Sequence, residues 1–170
     1  MPGGAEITGR LKIAALTAAV VAAADQVSKA AVMVRLLENQ LVEVVSGFFN
    51  IVYFRNPGAA FGFLGGGWGG TARTVLLIAL TAAALIVVGV LLRQARERLL
   101  VFSLSLIAGG ALGNLVDRVR FGTVVDFLDF HIGRYHWPAF NVADSAITVG
   151  VALALFHHFF RHQPPTGPQR

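Results

Sequence analysis

The sequence predicts a mainly α-helical membrane protein, with four transmembrane helices and a small β element outside the bilayer. Three observations carry this. Apolar residues make up 55% of the 170-residue chain and charged residues only 14%, against roughly 25% charged in soluble domains, and mean hydropathy is +0.67. Four long apolar runs, each near the ~20 residues that cross a ~30 Å hydrocarbon core, are separated by polar connections. Between the first two runs lies a block of β-branched and aromatic residues. The length fits one domain, a single integral membrane unit over residues 1–170.

The first span covers about 13–34, follows Arg10 and Lys12, and is apolar apart from Asp25, Gln26, Ser28 and Lys29. A cleaved signal peptide would share the basic start, the apolar run and the small residues at 22–24. Against that reading, the apolar pattern resumes after Lys29, and Asp25 and Lys29 stand four apart on one helix face in the favourable acidic-first order. The β element covers about 40–56, where QLVEVV and FFNIVYF flank Ser46-Gly47 as in a hairpin. Asn56-Pro57-Gly58 signals a turn. The glycines from 65 to 70 around Trp68 read either as a linker with an interfacial Trp or as a flap, 57–70, over a site.

The second span, about 74–92, carries no charge and leads to Arg93, Arg96, Glu97 and Arg98. The third, about 99–116, spaces Ser105, Gly109 and Gly113 four apart, a pattern that lets helices approach closely, and its far end carries Asn114, Asp117 and Arg118. The fourth, about 141–160, ends near His157 and His158, which are expected at the interface. Four spans put both termini on one side. That side holds Arg10, Lys12, Arg93, Arg96, Arg98, Arg161 and Arg170, three of them crowded into one short loop, whereas the six basic residues opposite are spread over two long connections. Positive charge concentrates in cytoplasmic loops, so the β element, Asp126 and Asp144 are expected to face outward.

Composition also narrows the chemistry. With no Cys, disulfides, thiolate metal sites and Cys nucleophiles are excluded. The net charge of +5 is scattered among apolar segments and forms no patch with interleaved aromatics, so membrane lipids explain it better than nucleic acid. The histidines show no metal-ligand spacing, and GGGWGG lacks the Lys-Ser/Thr of a phosphate loop, so neither a metal nor another cofactor is expected.

What remains is a pair of acids, Asp126 and Asp144, at the two ends of the segment between the third and fourth spans. Two carboxylates brought to one end of a bundle can share a proton and do acid/base work. The residues by themselves also allow blander readings. Asn141 with Asp144 can act as a helix-capping box, and Asp126 and Asp129 can be exposed loop acids. Asp25, Lys29, Asp117 and Arg118 can be paired charges that lock helix packing. A proton-relaying transporter using Asp25, Lys29 and Asp117 is a further alternative, though no inverted repeat is visible. The GxGD motif of presenilin-like proteases is absent.

Five separated blocks, taken together, resemble bacterial lipoprotein signal peptidase (signal peptidase II): DQVSK at 25–29, RNPGAAFGFL at 55–64, GGALGNLVDR at 109–118, VVDF at 124–127 and FNVADS at 140–145. The resemblance implies an aspartic peptidase of the bacterial inner membrane with four helices, an outward β-cradle and a short extramembrane helix beside the site. It implies Asp126 and Asp144 as the catalytic pair. Asn56, Asn114, Arg118 and Asn141 would line the polar site, Asp25 and Lys29 would brace it, and Asp117 would be structural. The implied substrate is a prolipoprotein cut before its diacylglyceryl-bearing Cys. A monomer is expected.

Overall fold

The computed structural model describes residues 4–58 and 70–161. In chain order the elements are α1 (Gly4–Arg35), β1 (Leu41–Val45), β2 (Phe49–Asn56), α2 (Gly70–Gln94), α3 (Arg98–Phe121), β3 (Val124–Ile132), β4 (Tyr135–His136) and α4 (Val142–Arg161). Four helices are long and apolar enough to span a membrane. The short extramembrane helix expected from the resemblance is not found among the described residues. Most of the expected flap, residues 59–69, lies outside them.

The central helix is α3, which packs against α4, α1 and α2. Half of its apolar stretch is buried inside the protein, against 6 to 11% for the other three. Small residues make this possible. A Cβ on Gly109 would sit 2.7 Å from the Ala18 carbonyl oxygen, and one on Gly113 would sit 2.6 Å from Asp25 Oδ2, so α3 lies against the α1 backbone at Gly109 and makes room for the Asp25 carboxylate at Gly113. Gly110 does the same for α4, against the backbone of Ala143. The apolar core between the helices is made from Ala14, Ala18, Val88, Val101, Leu104 and Ala108. At one end of the bundle Arg10 donates to the Ala95 carbonyl at 2.8 Å. There His157 is buried, with Nε2 2.7 Å from Glu97 Oε2.

The strands form one antiparallel sheet in the order β1-β2-β3-β4. The β element therefore extends beyond the hairpin at 40–56. The segment after α3, which reads in sequence as a connection, supplies β3 and β4. Gly122 makes this turn possible: at φ 74° it takes the left-handed conformation, and its N–H closes the helix on the Arg118 carbonyl at 3.0 Å. Only three residues later the chain is in the sheet at Val125, opposite Arg55.

Candidate active site

Asp126 lies on β3 opposite Phe54, next to a register shift between Ile51 and Phe54. Such bulges re-aim side chains. Its carboxylate is 1% exposed and held at both oxygens. Asn56 Nδ2, from the end of β2, donates to Oδ2 at 2.9 Å, and Asn141 Nδ2 donates to Oδ1 at 2.7 Å. Burial pushes its pKa up to about 6. The charge of Asp144 adds to the rise, against the hydrogen bonds from Asn56 and Asn141 and the charge of Lys29.

Asp144 sits in the first turn of α4, where a carboxylate is favoured by the helix dipole. Its oxygen Oδ1 accepts from Asn114 Nδ2 on α3 at 2.7 Å. The capping expected of this stretch is present, with Asn141 at the N-cap, its Oδ1 accepting the N–H of Asp144 at 2.8 Å. Asp25 Oδ1 accepts the next orphan amide, that of Ala143, at 2.9 Å. The carboxylate of Asp144 is thus bonded across to α3 and also takes the backbone N–H of Asn141, the reciprocal half of the capping box.

Two asparagines tie the acids together. Asn141 donates to Asp126, to the Val125 carbonyl at 3.2 Å and to Asn114 Oδ1 at 3.3 Å. Asn114 passes the chain on to Asp144. Behind it stands Lys29, 1% exposed, whose Nζ lies 2.7 Å from Asp25 Oδ2, 2.9 Å from Asp117 Oδ2 and 3.0 Å from Asn114 Oδ1. The opposite charge that pairs with Asp117 is therefore Lys29 and not Arg118. Among the described residues Arg118 forms no ion pair within 4 Å, but its guanidinium lies in the field of Asp144, Asp117 and Asp126. Asp25, Lys29, Asn56, Asn114, Asp126, Asn141 and Asp144 are joined in one polar network, with Arg118 beside it.

Two features escaped the sequence. Gln26 Nε2 donates to Asp117 Oδ1 at 2.8 Å and to the Gly113 carbonyl at 3.1 Å; its position three residues before Lys29, on one helix face, is the signal that would have found it. Asp129 is buried, 6% exposed, and not a loop acid. Asn50 Nδ2 donates to its Oδ2 at 2.8 Å and His136 Nδ1 lies 2.9 Å from its Oδ1. Burial would raise its pKa, but these hydrogen bonds and the charges of His136 and His131 outweigh that and hold it below the usual carboxylate range. Among the described residues no three His, Asp or Glu side chains form a metal-binding group.

A family model described as signal peptidase (SPase) II matches residues 17–160. The chain belongs to the signal peptidase II family. It is a multi-pass membrane peptidase of that family, and its relatives match along most of their own length. It is 44% identical over 150 residues to a lipoprotein signal peptidase of Desulforapulum autotrophicum, covering 88% of this chain and 93% of the relative. Identity is 48% over 139 residues to a lipoprotein signal peptidase of Syntrophus aciditrophicus, with 80% and 85% covered. Two solved structures described as bacterial membrane enzymes align at TM-scores of 0.78 and 0.80. They are 32% and 31% identical, covering 89% and 94% of this chain and 95% and 94% of theirs. The signal peptidase II motifs 25–29, 109–118, 124–127 and 140–145 are the segments that build the polar network described above.

Proposed function

We propose that the protein is an aspartic endopeptidase of the bacterial inner membrane that removes the signal peptide from diacylglyceryl-modified prolipoproteins. It cuts before the lipidated Cys with a water activated by Asp126 and Asp144. One observation carries the reading. Two carboxylates from different elements are each held by an asparagine amide, and those asparagines are bonded to one another, while the strong cation Lys29 faces Asn114 and the bracing acids Asp25 and Asp117. Neighbouring carboxylates resist double ionisation, so the pair keeps one proton. The ionised member takes a proton from water as it attacks the scissile carbonyl, and the protonated member donates to the carbonyl oxygen. When the tetrahedral intermediate collapses, the proton taken from water goes to the leaving amine, a hydroxyl of the intermediate returns its proton to the other carboxylate, and the pair is restored with its one proton. Titration of such a pair belongs to both members, so neither role is given to one residue.

The supporting residues follow from their contacts. Asn56 and Asn141 orient Asp126, Asn114 orients Asp144, and Asp25 with Lys29 braces Asn114 and the start of α4. Arg118 contributes positive potential beside a peptide carbonyl that becomes negative in the transition state. The site faces outward, the acyl chains of the substrate stay among membrane lipids, and the enzyme works as a monomer. Purified protein in detergent is expected to cleave a diacylglyceryl-modified prolipoprotein and to leave the unmodified precursor intact. Equal cleavage of both, or of neither, would contradict the proposal.

A further inference from the structure

Gln26 is a polar side chain in the first span that the proposed chemistry does not use, yet it touches the network that carries Asp126. Asp117 is 1% exposed and its two oxygens do different things. Oδ2 accepts the backbone N–H of Val125 at 3.0 Å and the Lys29 ammonium at 2.9 Å, while Oδ1 accepts Gln26 Nε2 at 2.8 Å. Val125 is the residue before Asp126. The hydrogen bond from its amide is therefore the tie between α3 and the strand that presents Asp126.

With donors on both oxygens the Asp117 carboxylate has one orientation. Without Gln26, Oδ1 loses this donor in a buried site, and the carboxylate gains by turning both oxygens toward Lys29. That turn takes Oδ2 away from the Val125 amide. Gln26 is itself fixed, because the same amide donates to the Gly113 carbonyl at 3.1 Å, where α1 and α3 approach so closely that no Cβ would fit. We propose that Gln26 is a positioning residue for the reaction. Through Asp117 and the Val125 amide it sets the place of Asp126 on β3. This rests on the function proposed above, in which Asp126 is one of the reacting acids.

The test uses the full chain in detergent, with Gln26→Leu, which keeps the volume and removes the donor, and Gln26→Glu. Two readouts are taken for each. Hydrogen exchange of the Val125 amide, measured without substrate, should quicken by about tenfold or more in Gln26→Leu. Single-turnover cleavage of the diacylglyceryl-modified precursor at saturating substrate should slow between about tenfold and a hundredfold, with KM little changed, as for a misplaced reacting group. Gln26→Glu should regain rate as pH falls, because a protonated Glu again donates to Asp117 Oδ1, whereas a loss of packing alone would leave its pH profile parallel to that of the wild type. If Gln26→Leu does not fold, the pH profile of Gln26→Glu decides. Wild-type exchange at Val125 in Gln26→Leu, or a parallel profile in Gln26→Glu, would overturn the inference. Failure of the wild type to cleave would instead count against the proposed function, and the exchange measurement would still judge the tie to Val125.

Discussion

Asp126 shows how much a single residue's surroundings decide. In the folded protein its carboxyl titrates near 6, whereas in an unfolded chain it would titrate near ~3.9. Between those values the folded state keeps a proton that the unfolded chain has released. The stability linked to the protonated carboxyl is therefore fully present below about pH 4 and is lost as pH rises through about 6, a difference on the order of 3 kcal/mol. The melting temperature of the wild type should accordingly fall more between about pH 4 and pH 6.5 than that of Asp126→Asn, whose amide does not titrate. Parallel curves for the two proteins would contradict the raised pKa. Not all of this environment was legible in the sequence. Asp25 and Lys29 announce themselves by helical spacing, but Asp129 gave no such signal. Its buried state depends on Asn50, 79 residues away, and on His136 across the hairpin.

At the scale of elements, helices were easier to read than strands, for a physical reason. Apolar runs of span length have few alternative folds in a membrane. The β3 sequence VVDFLDFHI instead breaks the two-residue alternation with acids three apart, 126 and 129, which an unbroken strand would send to opposite faces. Each acid instead has its own partners, Asn56 and Asn141 for Asp126 and Asn50 and His136 for Asp129. Nor could local pattern reveal that Asp25 caps α4, since the two ends of that bond lie 118 residues apart. Small residues along α3, by contrast, were a correct guide to contact. Gly109→Ala would drive a methyl against the Ala18 carbonyl and Val21, and overpacking of this kind costs about 1–3 kcal/mol. Gly89→Ala, on α2 with nothing within 4 Å, should be neutral or gain a few tenths of a kcal/mol. Thermal melts of both variants check this; an equal effect at the two positions would mean that α1 and α3 do not meet at Gly109.

For the whole molecule the question is orientation. The sheet and both acids lie at one end of the bundle, and the loop between α2 and α3, with Arg93, Arg96 and Arg98, lies at the other. The crowding of basic charge in that loop favours a cytoplasmic location. Arg134 and Gln94 are exposed on opposite ends. In intact cells a Cys at 134 should react with a membrane-impermeant thiol reagent, and a Cys at 94 should react only after permeabilisation. The reverse pattern would turn the site toward the cytoplasm.

In the proposed reaction Asp126 and Asp144 act as one unit, and substitution by Asn separates that role from every structural one. Asn keeps the size of Asp and a hydrogen-bond acceptor but cannot hold or release the shared proton. The most direct measurement is single-turnover cleavage of a diacylglyceryl-modified prolipoprotein by Asp126→Asn, Asp144→Asn and the double variant, with each fold verified by its melting temperature. Each single variant should fold and lose cleavage by roughly three orders of magnitude or more, and the double variant should be scarcely slower than either. Near-normal cleavage by a well-folded Asp144→Asn, or losses that multiply in the double variant, would contradict the shared-proton pair.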